Sequence, residues 1–415
     1  MKESNLPIQS HRTALMTVFL AVLIDLMGFG IVLPLLPFYA SNFHATPIQI
    51  GLLYSIFSFA QLIFSPIWGS LSDHFGRRPV MLISTFGAVI AYTVFAFANS
   101  LALLFISRLI AGIMGGNIST AQAYVADVTT HEDRAKGMGL IGAAFGIGFV
   151  MGPALASALI HPKFLDLMNI HTKYKFLVPG IFAAILSLSS FLLVLFKLPE
   201  TIQKSRNKQR VIRSGVFSKS FWNMIFETRT KEGKHFFALL IFSMFLLAFS
   251  QATLYSSFPL FCNLNLNFPA EHVGILFVYM GLIAILIQGG LIKILTKNFG
   301  ETPLFLTGNI LLMAGLFLIP FSRSMTDLLF FLGILSVGGS LNMPTLNSLI
   351  SKEVKPDQYG SALGTAQGMG SLGRVIGPTW GGFLYHYNYH LPFLLTACLI
   401  SLAIYVGFKL ISSHA

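Results

Sequence analysis

Charge is scarce in this chain. Of 415 residues only 10% are Asp, Glu, Lys or Arg, and just 15 are acidic, whereas a water-soluble domain carries about 25% charged residues. Most of the outer surface therefore has to face something other than water. Cysteine is scarcer still. Cys262 and Cys398 are the only two and both lie in or beside apolar runs, which excludes a disulfide framework or a cysteine metal site. The phosphate-cradling pattern Gly-x-x-x-x-Gly-Lys-Ser/Thr is missing, and no soluble stretch could house a nucleotide domain, so ATP-driven pumping is not expected. The eleven histidines lie mostly in loops without ligand spacing such as His-Glu-x-x-His. Neither metal nor cofactor is expected, and the chain does not read as an enzyme. The net charge of +12 would suit nucleic acid, but the basic residues are scattered over short loops rather than gathered on one face.

What the chain has in abundance is apolar length. It is 54% hydrophobic with 40 Phe, and its mean hydropathy is +0.74. A hydrocarbon core about 30 Å thick takes about 20 helical residues to cross. Runs of that size fall at roughly 13–40, 48–71, 79–98, 101–126, 137–160 and 176–198, then at 236–262, 271–296, 302–321, 326–350, 360–385 and 391–411. The first run is too long for a secretory signal, carries Asp25 and lacks a small-residue cleavage pattern, so it reads as the first span. Twelve spans put both termini on one side. Of 27 Lys and Arg, 21 fall in the N-terminal tail, the loops after even-numbered spans or the C-terminal end, against four in the opposite loops. The positive-inside rule then places both termini and the long linker in the cytoplasm. The expected class is an all-α membrane protein with twelve transmembrane helices in two pseudo-symmetric six-helix bundles around a central cavity. The expected domains are 1–199, a linker over 200–235 and 236–415. Within the linker Phe217, Phe221, Trp222, Ile225 and Phe226 form a helical stripe, suited to the membrane surface or the underside of the bundle.

The halves echo each other. Gly148-x-x-x-Gly152-Pro153 recurs as Gly373-x-x-x-Gly377-Pro378, 225 residues later, and Phe75-Gly76-x-x-Pro79 recurs as Phe299-Gly300-x-x-Pro303. In the second copy the acid and both arginines are lost, with Lys297, Glu301 and Thr302 in their places. An internal repeat of half the chain length is how many secondary transporters are built.

Between the second and third runs lies Gly69-Ser-Leu71-Ser-Asp73-His-Phe-Gly76-Arg77-Arg78-Pro79. Its charges and backbone groups cannot sit in lipid, and Asp73 with Arg77 or Arg78 suggests a clasp to each other or to a helix end. The stretch resembles the loop between helices 2 and 3 of the major facilitator superfamily, G-x-L-x-D-x-x-G-R-[KR], with every fixed position filled. Asp25-x-x-Gly28-x-Gly30-x-x-x-Pro34-x-x-Pro37 and Ala123-Tyr-Val-Ala-Asp127 look most like the tetracycline-type drug:proton antiporters of that superfamily. Gly148, Gly152 and Pro153 resemble the fifth-helix motif of its antiporters. Arg108 followed by Gly112, Gly115 and Gly116 matches the arginine and glycines of proton-coupled members. One departure stands out: those exporters carry further acids in the third and eighth helices, where this chain has Ala91-Tyr92-Thr93 and Ile287-Gln288-Gly289.

Three ionisable residues sit well inside spans, where they are costly and mark function. Asp25, about eleven residues into the first helix, lies near mid-membrane and could load and release a proton, or be a structural ion pair with Arg108. Arg108 could tune that acid, hold a substrate carboxylate or serve structure alone. Arg374 stands where the repeat has Phe149, which fits substrate binding, gating or an interface ion pair. Two arginines against one aspartate favour an anionic, zwitterionic or neutral amphipathic substrate. Asn117, Gln122, Gln251, Tyr255, Gln288 and Asn342 join Arg374 as candidate cavity contacts, although most such groups are interhelical hydrogen bonds. Gly69, Asp73, Gly76, Arg77 and Arg78 are the candidate gate. The resemblance implies proton-coupled export of a small amphipathic molecule by a monomer in a bacterial inner membrane. The alternative is proton symport of a sugar, organic acid or siderophore-like metabolite.

Overall fold

The computed structural model describes residues 8–130, 133–201, 216–228, 236–355 and 358–414. Among them every regular element is a helix. Eleven helices are long and apolar enough to cross a bilayer: Thr13–Ser41, Pro47–Phe75, Arg77–Ala96, Leu101–Val128, Lys136–Ile160, Leu177–Lys197, Phe236–Leu264, Ala270–Phe299, Glu301–Phe321, Met325–Lys352 and Leu391–Leu410. A twelfth long helix, Tyr359–Tyr387, has 29 residues and precedes the last of these. Its glycines, two runs spaced four apart at 360, 364, 368 and at 373, 377, 381, together with Arg374, dilute its apolar character. In chain order these are spans 1 to 12, and the chain is an all-α, multi-pass membrane protein. Of the linker, residues 202–215 and 229–235 lie outside the described part, as do residues 1–7; 216–228 holds one short helix, Lys219–Glu227.

The described residues form two compact units, one within 1–43 and 59–213, the other within 44–58 and 214–415. In the first unit, Ala14, Val18, Ala21, Val22 and Leu26 of span 1 lie at helical spacing. They share a buried core with Tyr124, Val125 and Val128 of span 4, Ile141 and Ala144 of span 5, and Val194 of span 6. Span 5 can approach span 1 so closely because its motif glycines, Gly148 and Gly152, have no side chains. A β-carbon on Gly152 would fall 2.6 Å from Cα of Gly30, and one on Gly148 would fall 2.6 Å from Cβ of Leu26. The motif is thus the seat of span 1 immediately beside Asp25.

Span 4 is interrupted at Gly115 and Gly116, which separate Leu101–Met114 from Asn117–Val128. An interruption inside a bilayer frees carbonyls that lipid cannot satisfy. Here each finds a side chain: Trp68 Nε1 donates to Ile113 O at 2.6 Å, Ser84 Oγ to Met114 O, and Gln61 Nε2 to Gly115 O at 3.1 Å.

The second unit repeats the close helix contact with different partners. β-carbons on Gly373 and Gly377 of span 11 would fall 2.7 Å from Phe245 O and 2.6 Å from Phe249 O of span 7. Span 11 therefore seats on span 7 as span 5 seats on span 1, the sequence repeat restated as a packing rule. The start of span 2 is joined to span 11 by Ser55 Oγ, which donates to Val375 O at 2.6 Å and accepts from Thr379 Oγ1 at 2.7 Å. In span 8 the helix widens into a π turn over Ile287–Leu291.

Candidate functional site

The break in span 4 positions the first candidate. Asn117 opens the second half-helix of that span and is buried, with 5% exposure. Its Nδ2 donates to Oδ2 of Asp25 across from span 1, while the other carboxyl oxygen of Asp25 is buried with no hydrogen-bond partner among the described residues. The half-helix N-terminus adds a partial positive charge beside the acid. Arg108, buried on the first half of span 4, lies over the Phe95 ring at 5.2 Å and donates to Ser107 Oγ at 3.3 Å. The structure therefore brings Asn117 into hydrogen-bond contact with Asp25. Tyr92 is buried and within electrostatic reach of both Asp25 and Arg108. Its ring packs on span 1 at Gly28, where a β-carbon would fall 2.9 Å from Cε2. Tyr92 occupies the segment noted for lacking a carboxylate, and a hydroxyl takes that place.

The candidate gate is more elaborate than its loop. Gly76 has φ of 107°, a left-handed conformation that only glycine adopts without strain, and it ends span 2 so that span 3 can start at Arg77. The Arg77 guanidinium, 6% exposed as a residue, meets Asp73 Oδ1 at 2.6 Å through Nη1 and Asp127 Oδ2 at 2.9 Å through Nε; Nη1 also donates to Ser72 Oγ at 2.6 Å. Ser72 Oγ in turn donates to Gly69 O at 2.8 Å. The start of span 3 is capped from a distance. Glu200 Oε1 accepts the backbone N–H of Arg77 at 2.9 Å and Oε2 that of Arg78 at 3.1 Å, a carboxylate on a helix N-terminus. Tyr124 Oη holds the Glu200 segment by donating to Pro199 O at 2.9 Å. Arg78 donates to Leu195 O at 2.6 Å. In the sequence Asp127 stands only as the last residue of a family-like string, and both Asp127 and Glu200 act on residues distant in sequence.

The second half has an ion pair built on the residues that replace the first copy's acid and arginines. Glu301, the repeat counterpart of Arg77, meets Lys352 at 2.6 Å and accepts from Ser348 Oγ at 3.1 Å. Lys352 lies 225 residues after Asp127. The clasp is retained with its polarity reversed. The second copy, which lost the acid and both arginines of the first, thus forms its ion pair from different residues.

The remaining candidates separate by burial. Arg374 of span 11 donates to Ser371 Oγ at 2.8 Å, one turn earlier on its own helix, and is in none of the ion pairs among the described residues. Gln251 and Tyr255, one turn apart on span 7, share a 2.8 Å hydrogen bond with Gln251 exposed, and Tyr255 lies edge-on to Phe277 at 5.6 Å. Gln288 lies in the π turn and reaches Ser340 O at 3.4 Å. Gln122 is exposed on span 4. Asn342 is only 1% exposed and donates to Asn309 Oδ1 at 3.4 Å, joining spans 9 and 10. That is the geometry of an interhelical hydrogen bond.

Twelve long helices, a repeat expressed in packing, a charged clasp and a half-buried acid beside a helix break describe a secondary transporter. The sequence profile of the Major Facilitator Superfamily matches residues 18–298 and 286–414, and the chain belongs to that family of transporters. It is similar to the tetracycline resistance protein, class B, of Escherichia coli, with 30% identity over 373 residues, 89% of this chain and 87% of that one. Multidrug resistance protein 1 of Bacillus subtilis (strain 168) is 27% identical over 92% of both chains. The crystal structure of the human organic anion transporter MFSD10 (TETRAN) superposes with a TM-score of 0.70 at 26% identity, covering 97% of this chain and 100% of that one.

Proposed function

We propose that this transporter exports a small amphipathic organic molecule in exchange for protons, by alternating access, as a monomer with both termini in the cytoplasm of a bacterial inner membrane. The observation that carries the reading is Asp25: a lone intramembrane carboxyl, hydrogen-bonded through one oxygen by a neutral amide at a helix break. A neutral hydrogen-bond donor on one oxygen lets the acid exist in both protonation states. Arg108 and Tyr92 supply the polar surroundings that such a site uses. The gate residues Gly69, Asp73, Gly76, Arg77 and Arg78 lock one conformation through Asp127 and Glu200. Gly148, Gly152 and Pro153 provide the surface on which span 1 shifts.

Arg374 makes the preferred substrate anionic, zwitterionic or neutral, since a cation would meet an uncompensated guanidinium. Gln122, Gln251, Tyr255 and Gln288 are proposed further contacts. The resistance proteins among the relatives favour export, and the organic anion transporter favours the charge assignment. Inside-out vesicles with an acidic interior test the direction. Proton antiport accumulates a fluorescent organic anion in the lumen as protons leave, and proton symport leaves the lumen depleted.

A further inference from the structure

The short helix Lys219–Glu227 presents two apolar surfaces, and packing accounts for only one. Ser218 caps it by accepting the N–H of Phe221 at 3.2 Å, and Trp222 Nε1 donates back to Val216 O at 2.9 Å. Phe221 and Ile225, each 4% exposed, dock it on spans 7 and 11. Gly368 of span 11 is the seat: a β-carbon there would fall 2.6 Å from Phe221 Cε2. About 100° around the helix from that face lie Trp222 and Phe226, rings 6.2 Å apart and nearly parallel. They are 39% and 62% exposed, and Phe217, just ahead of the cap, is 75% exposed. Lys219, Asn223 and Glu227 occupy the far side.

We propose that Phe217, Trp222 and Phe226 insert into an anionic phospholipid leaflet, making this helix a lipid-docking surface of the transporter. A helix fixed to two spans by one face sits at a membrane boundary, where amphipathic rings such as Trp settle with the headgroups. Charge selects the lipid. Between residues 197 and 234 the sequence has ten Lys and Arg, Lys219 among them, against three acids, Glu200, Glu227 and Glu232. Such a segment is drawn to anionic headgroups. The inference extends the transport reading but does not depend on substrate or proton coupling.

The full chain is reconstituted in phosphatidylcholine vesicles with or without 30% phosphatidylglycerol, and amide exchange of the 216–228 segment is followed. Docking slows exchange at least about threefold in the anionic vesicles. The effect shrinks in 0.5 M NaCl and is lost in Phe217→Ser/Trp222→Ser/Phe226→Ser, whose Phe221 and Ile225 keep the helix seated. If the triple variant does not incorporate, Phe217→Ser alone carries the comparison. Equal exchange in the two vesicle types overturns the proposal. So does slowing that instead follows protein concentration in detergent, which would assign the face to a second copy of the chain.

Discussion

Arg77 and Lys352 hold corresponding ion pairs in the two halves, yet their removal should differ sharply. The Arg77 side chain is 7% exposed and separates Asp73 and Asp127, which are 36% and 33% exposed. Arg77→Ala leaves two carboxylates facing each other without a countercharge. Removing one partner of a fully buried pair costs about 3–5 kcal/mol. Both acids here are about a third exposed, so water and salt reduce the figure to roughly 2–3 kcal/mol. Lys352, 58% exposed against a Glu301 that is 25% exposed, belongs with surface pairs, and Lys352→Ala should cost at most about 1 kcal/mol. With roughly 2–4 °C per kcal/mol for a unit of about 200 residues, Arg77→Ala lowers Tm by about 4–12 °C and Lys352→Ala by less than about 4 °C. Thermal unfolding of the purified protein, followed by intrinsic fluorescence, measures both. Arg77→Ala/Asp127→Ala should recover part of the loss, because it removes one of the two stranded acids. Equal shifts for the two single variants, or a double variant worse than Arg77→Ala, would show that burial does not set the difference between the two pairs.

The seat of span 1 gives a second outcome. Gly152→Val drives side-chain atoms into Gly30 and Met27 O, 2.8 Å from the first carbon added, and should cost about 1–3 kcal/mol; Gly142→Ala, with open space around it, should be neutral or stabilising in the same Tm assay. Glu200→Ala uncaps span 3 and should speed amide exchange at Arg77 and Arg78, with a cost of about 0.5–2 kcal/mol. Trp68→Phe leaves Ile113 O without its donor inside the membrane and should destabilise by about 1–3 kcal/mol. Exchange faster around Gly115 and Gly116 than elsewhere in span 4 would locate that loss.

Apolar runs separated by short charged turns were enough to read twelve spans, and glycines at repeat positions were enough to read two related halves. What escaped was pairing at a distance. The run over 101–126 looks like one uninterrupted helix, because hydropathy does not register that Trp68, Ser84 and Gln61 are available to accept a break. Glu200 carries no local signal of its role, because the helix it caps begins 123 residues earlier. The Glu301–Lys352 pair was hidden for a related reason: comparing one loop with its repeat shows an arginine replaced by an acid, and only the second loop, with lysine for Asp127, shows that the interaction survives. Asn342 and Gln251 are alike as amides within spans, and burial alone distinguishes the interhelical bond of the one from the exposed position of the other.

In the proposed function Asp25 carries the transported proton. Proteoliposomes containing a pH-sensitive dye, given an outward gradient of a fluorescent organic anion, read proton and substrate movement together. Asp25→Asn keeps the size and a hydrogen-bonding group beside Asn117. It should abolish substrate-dependent proton flux while leaving exchange of labelled for unlabelled substrate near the wild-type rate. Proton flux in Asp25→Asn equal to wild type, with substrate movement intact, would contradict the account.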